Sequence, residues 1–298
     1  MGHQVLYHPV FIYSIHPSTM FLSTITERQL SPQLTCLDIE NAHATVTLSL
    51  LGAQVLSFKP KHDPRERLFI SAAARMDGSK PVRGGIPVCW PWFGAHPATR
   101  THPAHGFVRT RVWRLVSNED LDTHTRLVLE APDTTHPGFA GSAALTLEVL
   151  VGRELTLKLH SCNTGSAPCG LAMALHSYFS VDDVRNCTLE GLRGTYSDKT
   201  RNWAMLETPA PYCFTEETDR VHLHAAPELR IVEPQCTTTL CSEGHDSIVV
   251  WNPWSNGVGA FVDMSSDSWT RMLCVETAVT QGLTLEPEKR HTLTQTIK

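Results

Sequence analysis

Alternation of polar and apolar residues with period two is the feature that most limits how this chain folds. Thr45-Val46-Thr47-Leu48-Ser49-Leu50, Ala144-Leu145-Thr146-Leu147-Glu148-Val149 and Glu154-Leu155-Thr156-Leu157-Lys158-Leu159 each read as a strand with one buried face. Val151-Gly152-Arg153 joins the last two as a hairpin turn. Shorter strand candidates follow at Arg126–Glu130, Gly170–Leu175, Arg220–His224, Leu229–Val232, Thr237–Cys241, Ser247–Trp251, Gly259–Asp263, Leu273–Glu276 and His291–Ile297. Long amphipathic helix patterns are missing. Many short strands separated by Gly, Pro and Asn indicate an all-β sandwich or barrel. No linker-like composition divides the body, so residues 31–298 are expected as one domain. Residues 1–30 are expected as an extension outside it.

Several function classes drop out early. The formal net charge is −5, which offers no general surface for nucleic acid or an anionic membrane. No run reaches the length of a membrane span. The first residues lack the basic start and unbroken apolar stretch of a signal peptide, because His8, Pro9, His16 and Pro17 interrupt them. The nine cysteines are odd in number and contain no CxxC pair, so they read as reduced, mostly buried thiols of a cytoplasmic protein. His222 and His224 have the spacing of a metal pair on one strand face. No neighbouring ligand set of suitable spacing accompanies them, and no metal is expected.

The most unusual stretch is Lys80–Arg111, KPVRGGIPVCWPWFGAHPATRTHPAHGFVRTR. Its prolines fix φ and remove donors, so it is neither a regular helix nor a central strand. Gly84-Gly85 permits a sharp bend or a close approach. Arg83 and Arg109 offer planar donor forks suited to carboxylate or phosphate. A stiff loop carrying cations and aromatic rings reads either as a binding wall or as a surface loop pinned by packed Trp and Pro.

Two apolar strands end in titratable groups. His176 follows Leu171-Ala172-Met173-Ala174-Leu175, and Glu276 follows Leu273-Cys274-Val275. A buried carboxylate must be solvated, paired or working, since an isolated buried charge is expensive. The histidine is either a hydrogen-bonded core residue or a catalyst. There is no G-x-S-x-G elbow beside Ser177 and no glycine-rich phosphate loop. The residues alone support an anion-binding pocket with an acid/base pair, and stop there.

Taken together, these pieces resemble the glucose-6-phosphate 1-epimerase (hexose-6-phosphate mutarotase) family, within the galactose-mutarotase-like superfamily. The resemblance rests on Asp77-Gly78-Ser79-Lys80-Pro81-Val82-Arg83-Gly84-Gly85-Ile86-Pro87, Phe93-Gly94, His105-Gly106-Phe107-Val108-Arg109 with Trp113, and His176-Ser177-Tyr178-Phe179. It continues through Tyr196-Ser197-Asp198-Lys199, Glu217-Thr218-Asp219, Val250-Trp251-Asn252-Pro253-Trp254 and Cys274-Val275-Glu276. It spans Leu34 to the C-terminus in order.

The resemblance implies an antiparallel β-supersandwich with few short helices and one concave face holding the site. It implies an enzyme that interconverts the α and β anomers of a hexose 6-phosphate without metal or organic cofactor, and a monomer is expected. Carried over by motif, His176 is the general acid and Glu276 the general base. Arg83 and Arg109 hold the phosphate, and His105 and Asp219 contact the sugar hydroxyls and ring oxygen. The acid and base are expected to face each other across a pocket, about 5–8 Å apart by analogy with paired carboxylates. The chain departs from the family pattern at Ala104, where Gln is common, at Thr277-Ala278 after the base, at Glu288 in the late turn, and at Trp90, where Phe is common.

Overall fold

The computed structural model describes residues 23–298. Alternation becomes strand at nearly every place it occurs. β1 (Thr24–Ser31), β2 (Leu34–Glu40), β3 (Ala44–Ser49) and β4 (Gln54–Pro60) form a four-stranded sheet in chain order. After the short β5 (Val88–Cys89), the meander β6 (Arg114–Leu121), β7 (His124–Glu130), β8 (Ala143–Gly152) and β9 (Leu155–Asn163) begins a backing sheet. β10 (Cys169–Leu175) and β11 (Tyr178–Ser180) then enter a second large sheet, and β12 (Thr188–Glu190) returns to the first. β13 (Thr195–Asp198), β14 (Ala204–Glu207) and β15 (Thr218–His222) extend the second sheet, while β16 (Glu228–Val232) and β17 (Thr237–Glu243) extend the backing sheet. β18 (Ser247–Asn252) and β19 (Met272–Leu285) complete the centre of the second sheet, and β20 (Arg290–Ile297) closes the backing sheet.

Both large sheets have eight strands. The site-bearing one runs β14-β13-β15-β18-β19-β10-β5, with β11 also on β19; the backing one runs β12-β16-β17-β20-β9-β8-β7-β6. Pairing between the strands is antiparallel, so the expected all-β supersandwich is the observed fold. Helix is confined to short turns such as Trp254–Gly257. Among the described residues, no helix is long and apolar enough to cross a membrane.

The central strands explain themselves by their two faces. Leu273 and Val275 of β19 join Ile248 and Val250 of β18 and Leu171, Met173 and Leu175 of β10 in the main core. The alternate residues face the other way. Val221 of β15, Val249 of β18 and Ala278 of β19 meet Ala174 and Cys89 in a separate cluster of small side chains. Burial on both faces is why these strands read as near-continuous apolar runs. Each fully buried Leu, Ile or Val contributes about 1.5–3 kcal/mol of transfer free energy.

Polar bonds pin the layers together. Asn41 donates to Thr125 Oγ1 at 2.9 Å and to the Val151 carbonyl at 2.8 Å, joining the small sheet to the backing sheet. Ser177 Oγ donates to Gln295 Oε1, and Gln295 Nε2 donates to Thr277 Oγ1 at 2.8 Å. Thr277 also shares a 2.7 Å bond with Ser242. All four of these residues are buried, so each polar group needs its partner.

Four local expectations change. Glu276 does not end a strand but lies within β19, which runs on to Leu285. β1 begins at Thr24 and pairs along its length with β2, so the sheet reaches into the stretch expected as an extension; residues 1–22 lie outside the described residues. The hairpin turn falls at Arg153-Glu154, because β8 pairs as far as Val151 with Leu155. Gly259–Asp263 is not a strand: Val258–Ala260 is a 3₁₀ turn continuing the Trp254 helix. Val258 there serves a small apolar cluster with Met264 and Met272, and that tertiary contact outweighs the local β preference.

All nine cysteines lie within the described residues and are free thiols. Five of them are buried, in accord with the sequence reading.

Candidate active site

The loop Arg83–Pro87 is placed by backbone contact. Gly84 and Gly85 have φ of +127° and +61°. A Cβ at Gly84 would meet the Phe69 carbonyl oxygen at 2.2 Å, and one at Gly85 would meet that of Val55 at 2.2 Å. The paired glycines therefore serve close passage past neighbouring backbone. Beyond them the chain runs beside the β10–β11 junction: Tyr178 N donates to Gly85 O at 2.9 Å and His176 N to Pro87 O at 3.0 Å. Only Val88–Cys89 pairs as a strand, as the prolines require.

His176 occupies that junction. β10 pairs Leu175 with Thr277, and β11 pairs Tyr178 with Cys274, both against β19. The register continues unbroken across the gap, which puts His176 directly opposite Glu276. Their side chains meet, with His176 Nε2 3.4 Å from Glu276 Oε1. That is closer than the roughly 5–8 Å expected from the two-carboxylate analogy. Groups this close leave no room for a six-membered ring between them.

The pair opens onto a pocket of about 180 Å³ lined by Arg83, Phe93, His105, His176, Tyr178, Lys199, Asp219, Val249, Trp251, Phe261 and Glu276. A larger hollow of about 530 Å³, bordered by Leu56, Glu66, Asp267 and Arg271 among others, lies elsewhere and holds no histidine. In the smaller pocket Glu276 Oε2 and His176 Nδ1 are buried without a hydrogen-bond partner. Unsatisfied buried polar atoms in a native site call for a ligand or water.

Electrostatics follow from burial. Desolvation raises the Glu276 carboxyl well above its usual range, Lys199 opposes that, and Asp219 adds to it. Desolvation lowers His176 well below 6.5, and the charges of His105, Arg109 and Arg83 push the same way. His105 is lowered to about 3, chiefly by desolvation and then by Arg109, Lys199 and Arg83. Its Nδ1 accepts the Gly94 N–H at 3.4 Å, which leaves Nε2 bearing the ring proton as a donor. Tyr178 stacks on His176 at 5.0 Å and 10°, fixing the plane of the imidazole.

The remaining expected residues divide. Asp219 lines the pocket and pairs with Lys199 at 2.8 Å. Arg83 lines it too, donating to Tyr178 OH at 2.9 Å and to Asp263 Oδ1 at 3.2 Å. Arg109 is not among the lining residues. Its Nη2 donates to the Ala104 carbonyl at 3.0 Å, although its charge reaches both His105 and His176. His222 and His224 part company: His222 is buried against Tyr212 and Thr208, while His224 accepts from Arg193 at the surface.

The aldose 1-epimerase family model matches residues 35–298. The chain belongs to the aldose 1-epimerase family. A protein of Cenchrus ciliaris named "Putative glucose-6-phosphate 1-epimerase" is 32% identical over 254 residues, covering 80% of this chain and 76% of its own. An Escherichia coli protein of the same name is 29% identical over 274 residues, covering 89% and 91%. The crystal structure of a "putative mutarotase (YeaD)" from Salmonella typhimurium superposes with a TM-score of 0.84 at 28% identity, covering 92% of each chain. Galactose 1-epimerase from Lactobacillus acidophilus shares the fold, with a TM-score of 0.72 at 13% identity and coverage of 93% and 98%.

For an aldose 1-epimerase fold, the sequence reading missed several pocket residues. Phe93, Tyr178, Lys199 and Trp251 sit inside the motifs that carried the resemblance, so their signal was present without a role attached. Phe261, which lines the pocket, and Asp263, which bonds Arg83, belong to no such motif. They reach Arg83 through the turn after β18, a placement that spacing alone does not show.

Proposed function

We propose that this chain interconverts the α and β anomers of a hexose 6-phosphate, glucose 6-phosphate foremost, with His176 as general acid and Glu276 as general base. The observation that carries the reading is the His176–Glu276 contact at 3.4 Å at the base of a sugar-sized pocket, with Nδ1 and Oε2 unpartnered. Desolvation disfavours charge on both groups, so in the empty pocket their one shared proton rests on Glu276; the assigned roles use the form with that proton passed to His176 Nε2 across the 3.4 Å contact. Anomerisation needs that inventory. The base takes the proton from the C1 hydroxyl, the acid gives one to the ring oxygen O5, and the C1–O5 bond breaks. The aldehyde rotates, and closure on its other face reverses the two transfers. Each group of this kind typically supplies about 10²–10⁴-fold in rate.

His105, as a neutral donor, and Asp219, as an acceptor held by Lys199, suit the sugar hydroxyls. Arg83 and Lys199 supply positive charge at the pocket, and Arg109 adds to the field around it, in support of an anionic substrate. One observation favours an unphosphorylated aldose instead: Arg83 is already engaged by Asp263. The test is anomer exchange of glucose 6-phosphate and of glucose, followed by NMR with and without protein. Exchange accelerated far more for the phosphate ester is the expected result. Equal acceleration points to a free-sugar epimerase, and none at all points to a sugar-phosphate-binding protein.

A further inference from the structure

Strand register does more than oppose His176 and Glu276. Trp251 of β18 pairs with Cys274 of β19, two residues before Glu276, so Cys274 and Glu276 project from the same face of one strand. Among the described residues, His176, Cys274 and Glu276 are the only set of three His, Cys, Asp or Glu side chains whose ligand atoms all lie within 4.8 Å of one another. All three are buried, and Glu276 Oε2 and His176 Nδ1 have no partner. Anomerisation as described above makes no use of the thiol.

We propose that His176, Cys274 and Glu276 form a latent three-ligand site for a thiophilic divalent cation, zinc above all, whose occupation excludes the sugar from the acid/base pair. One imidazole, one thiolate and one carboxylate are a suitable donor set for zinc, which takes four ligands at about 2.0–2.3 Å and so needs its donors only slightly closer than they stand. A thiolate and a carboxylate neutralise the dication, which suits a buried site flanked by Arg83 and Lys199. The fourth position faces the pocket, the route of entry. Binding displaces the thiol proton to solvent, so affinity falls as pH is lowered. Magnesium and calcium, which favour oxygen donors, do not compete.

The binding claim stands without the catalytic reading; the claim of sugar exclusion rests on it. Cobalt(II) is the probe for the first. Titrating the full chain with Co²⁺ should give one equivalent bound and a thiolate-to-cobalt charge-transfer absorption. That band should vanish in a Cys274→Ser preparation whose melting temperature shows it to be folded, and zinc added to the wild type should displace it. Anomer exchange provides the second readout. Zinc should inhibit competitively with the sugar, a chelator should restore activity, and Cys274→Ser should retain basal exchange. The serine variant should need at least about 10–100-fold more zinc for the same inhibition, since losing a direct ligand costs no less than losing an outer partner of one. Cobalt bound without a charge-transfer band, or unchanged zinc sensitivity in Cys274→Ser, overturns the site. In that case the metal binds elsewhere on the chain. A cobalt band that appears in a chain with no anomer exchange leaves the metal site standing and removes the catalytic reading.

Discussion

His176 and Glu276 stand opposite each other in neighbouring antiparallel segments, and their side chains touch at 3.4 Å. Directly opposite residues have Cβ atoms about 4.5–5.5 Å apart, so two long polar side chains there meet with no help from a loop. His176→Asn and Glu276→Gln keep size and some hydrogen bonding while removing proton transfer. Each should lower kcat by about 10²–10⁴-fold with much smaller changes in KM. Anomer-exchange NMR on variants with wild-type melting temperatures checks this, and near-normal turnover in either variant assigns the chemistry to another group.

Arg83 is the residue on which the proposed phosphate recognition can be tested apart from sugar recognition. Its guanidinium lines the pocket while leaning on Asp263 and Tyr178. Arg83→Ala should cost glucose 6-phosphate about 1.5–3 kcal/mol in kcat/KM, the worth of a charged hydrogen bond, and leave glucose nearly unchanged. Arg83→Lys should recover little, because a point charge does not reproduce the fork. Equal losses on both sugars would make Arg83 a structural tie to Asp263. The same pair of substrates tested on Arg109→Ala decides whether that residue, bonded to the Ala104 carbonyl, touches the phosphate or acts only through its field.

Gln295 sits behind the acid/base pair on the backing sheet. It bonds Ser177 and Thr277, the residues that follow His176 and Glu276. Gln295→Met removes a buried donor and acceptor and strands the Ser177 hydroxyl, while Thr277 keeps its bond to Ser242; this should destabilise the fold by roughly 1–3 kcal/mol. Because both partners adjoin His176 and Glu276, kcat should fall as well. Chemical denaturation and exchange kinetics on one preparation measure both; a loss of stability with unchanged kcat restricts Gln295 to the core.

His222 makes stability depend on pH. It is fully buried between Tyr212 OH at 3.1 Å and Thr208 Oγ1 at 3.2 Å. Burial, with Arg220 nearby, lowers its pKa to about 3. Unfolded, it takes up a proton near 6.5; folded, it stays neutral. The unfolded chain therefore binds more protons between those values, and stability falls as pH drops from about 6.5 toward 3, by at most about 1.4 kcal/mol per pH unit for this one group. His222→Gln should flatten that part of the curve. An identical slope in wild type and variant, read by urea denaturation at several pH values, would assign the effect to other groups.

Local sequence determined the strands, because alternation and apolar runs are written in neighbouring residues and answer to the two faces of a sheet. It also marked the loop that could not be a helix, through its prolines and glycines, and it placed His176 and Glu276 at the ends of apolar runs. Their meeting was a different matter. It depends on an antiparallel register between segments a hundred residues apart, and a shift of one residue would turn Glu276 into the core and Val275 into the pocket. No spacing within either strand encodes that choice. Side-chain reach was equally hidden: Arg83 was a free cation in the sequence until the turn carrying Phe261 and Asp263 folded against it. Cys274 was one thiol among nine until the sheet set it beside an imidazole and a carboxylate.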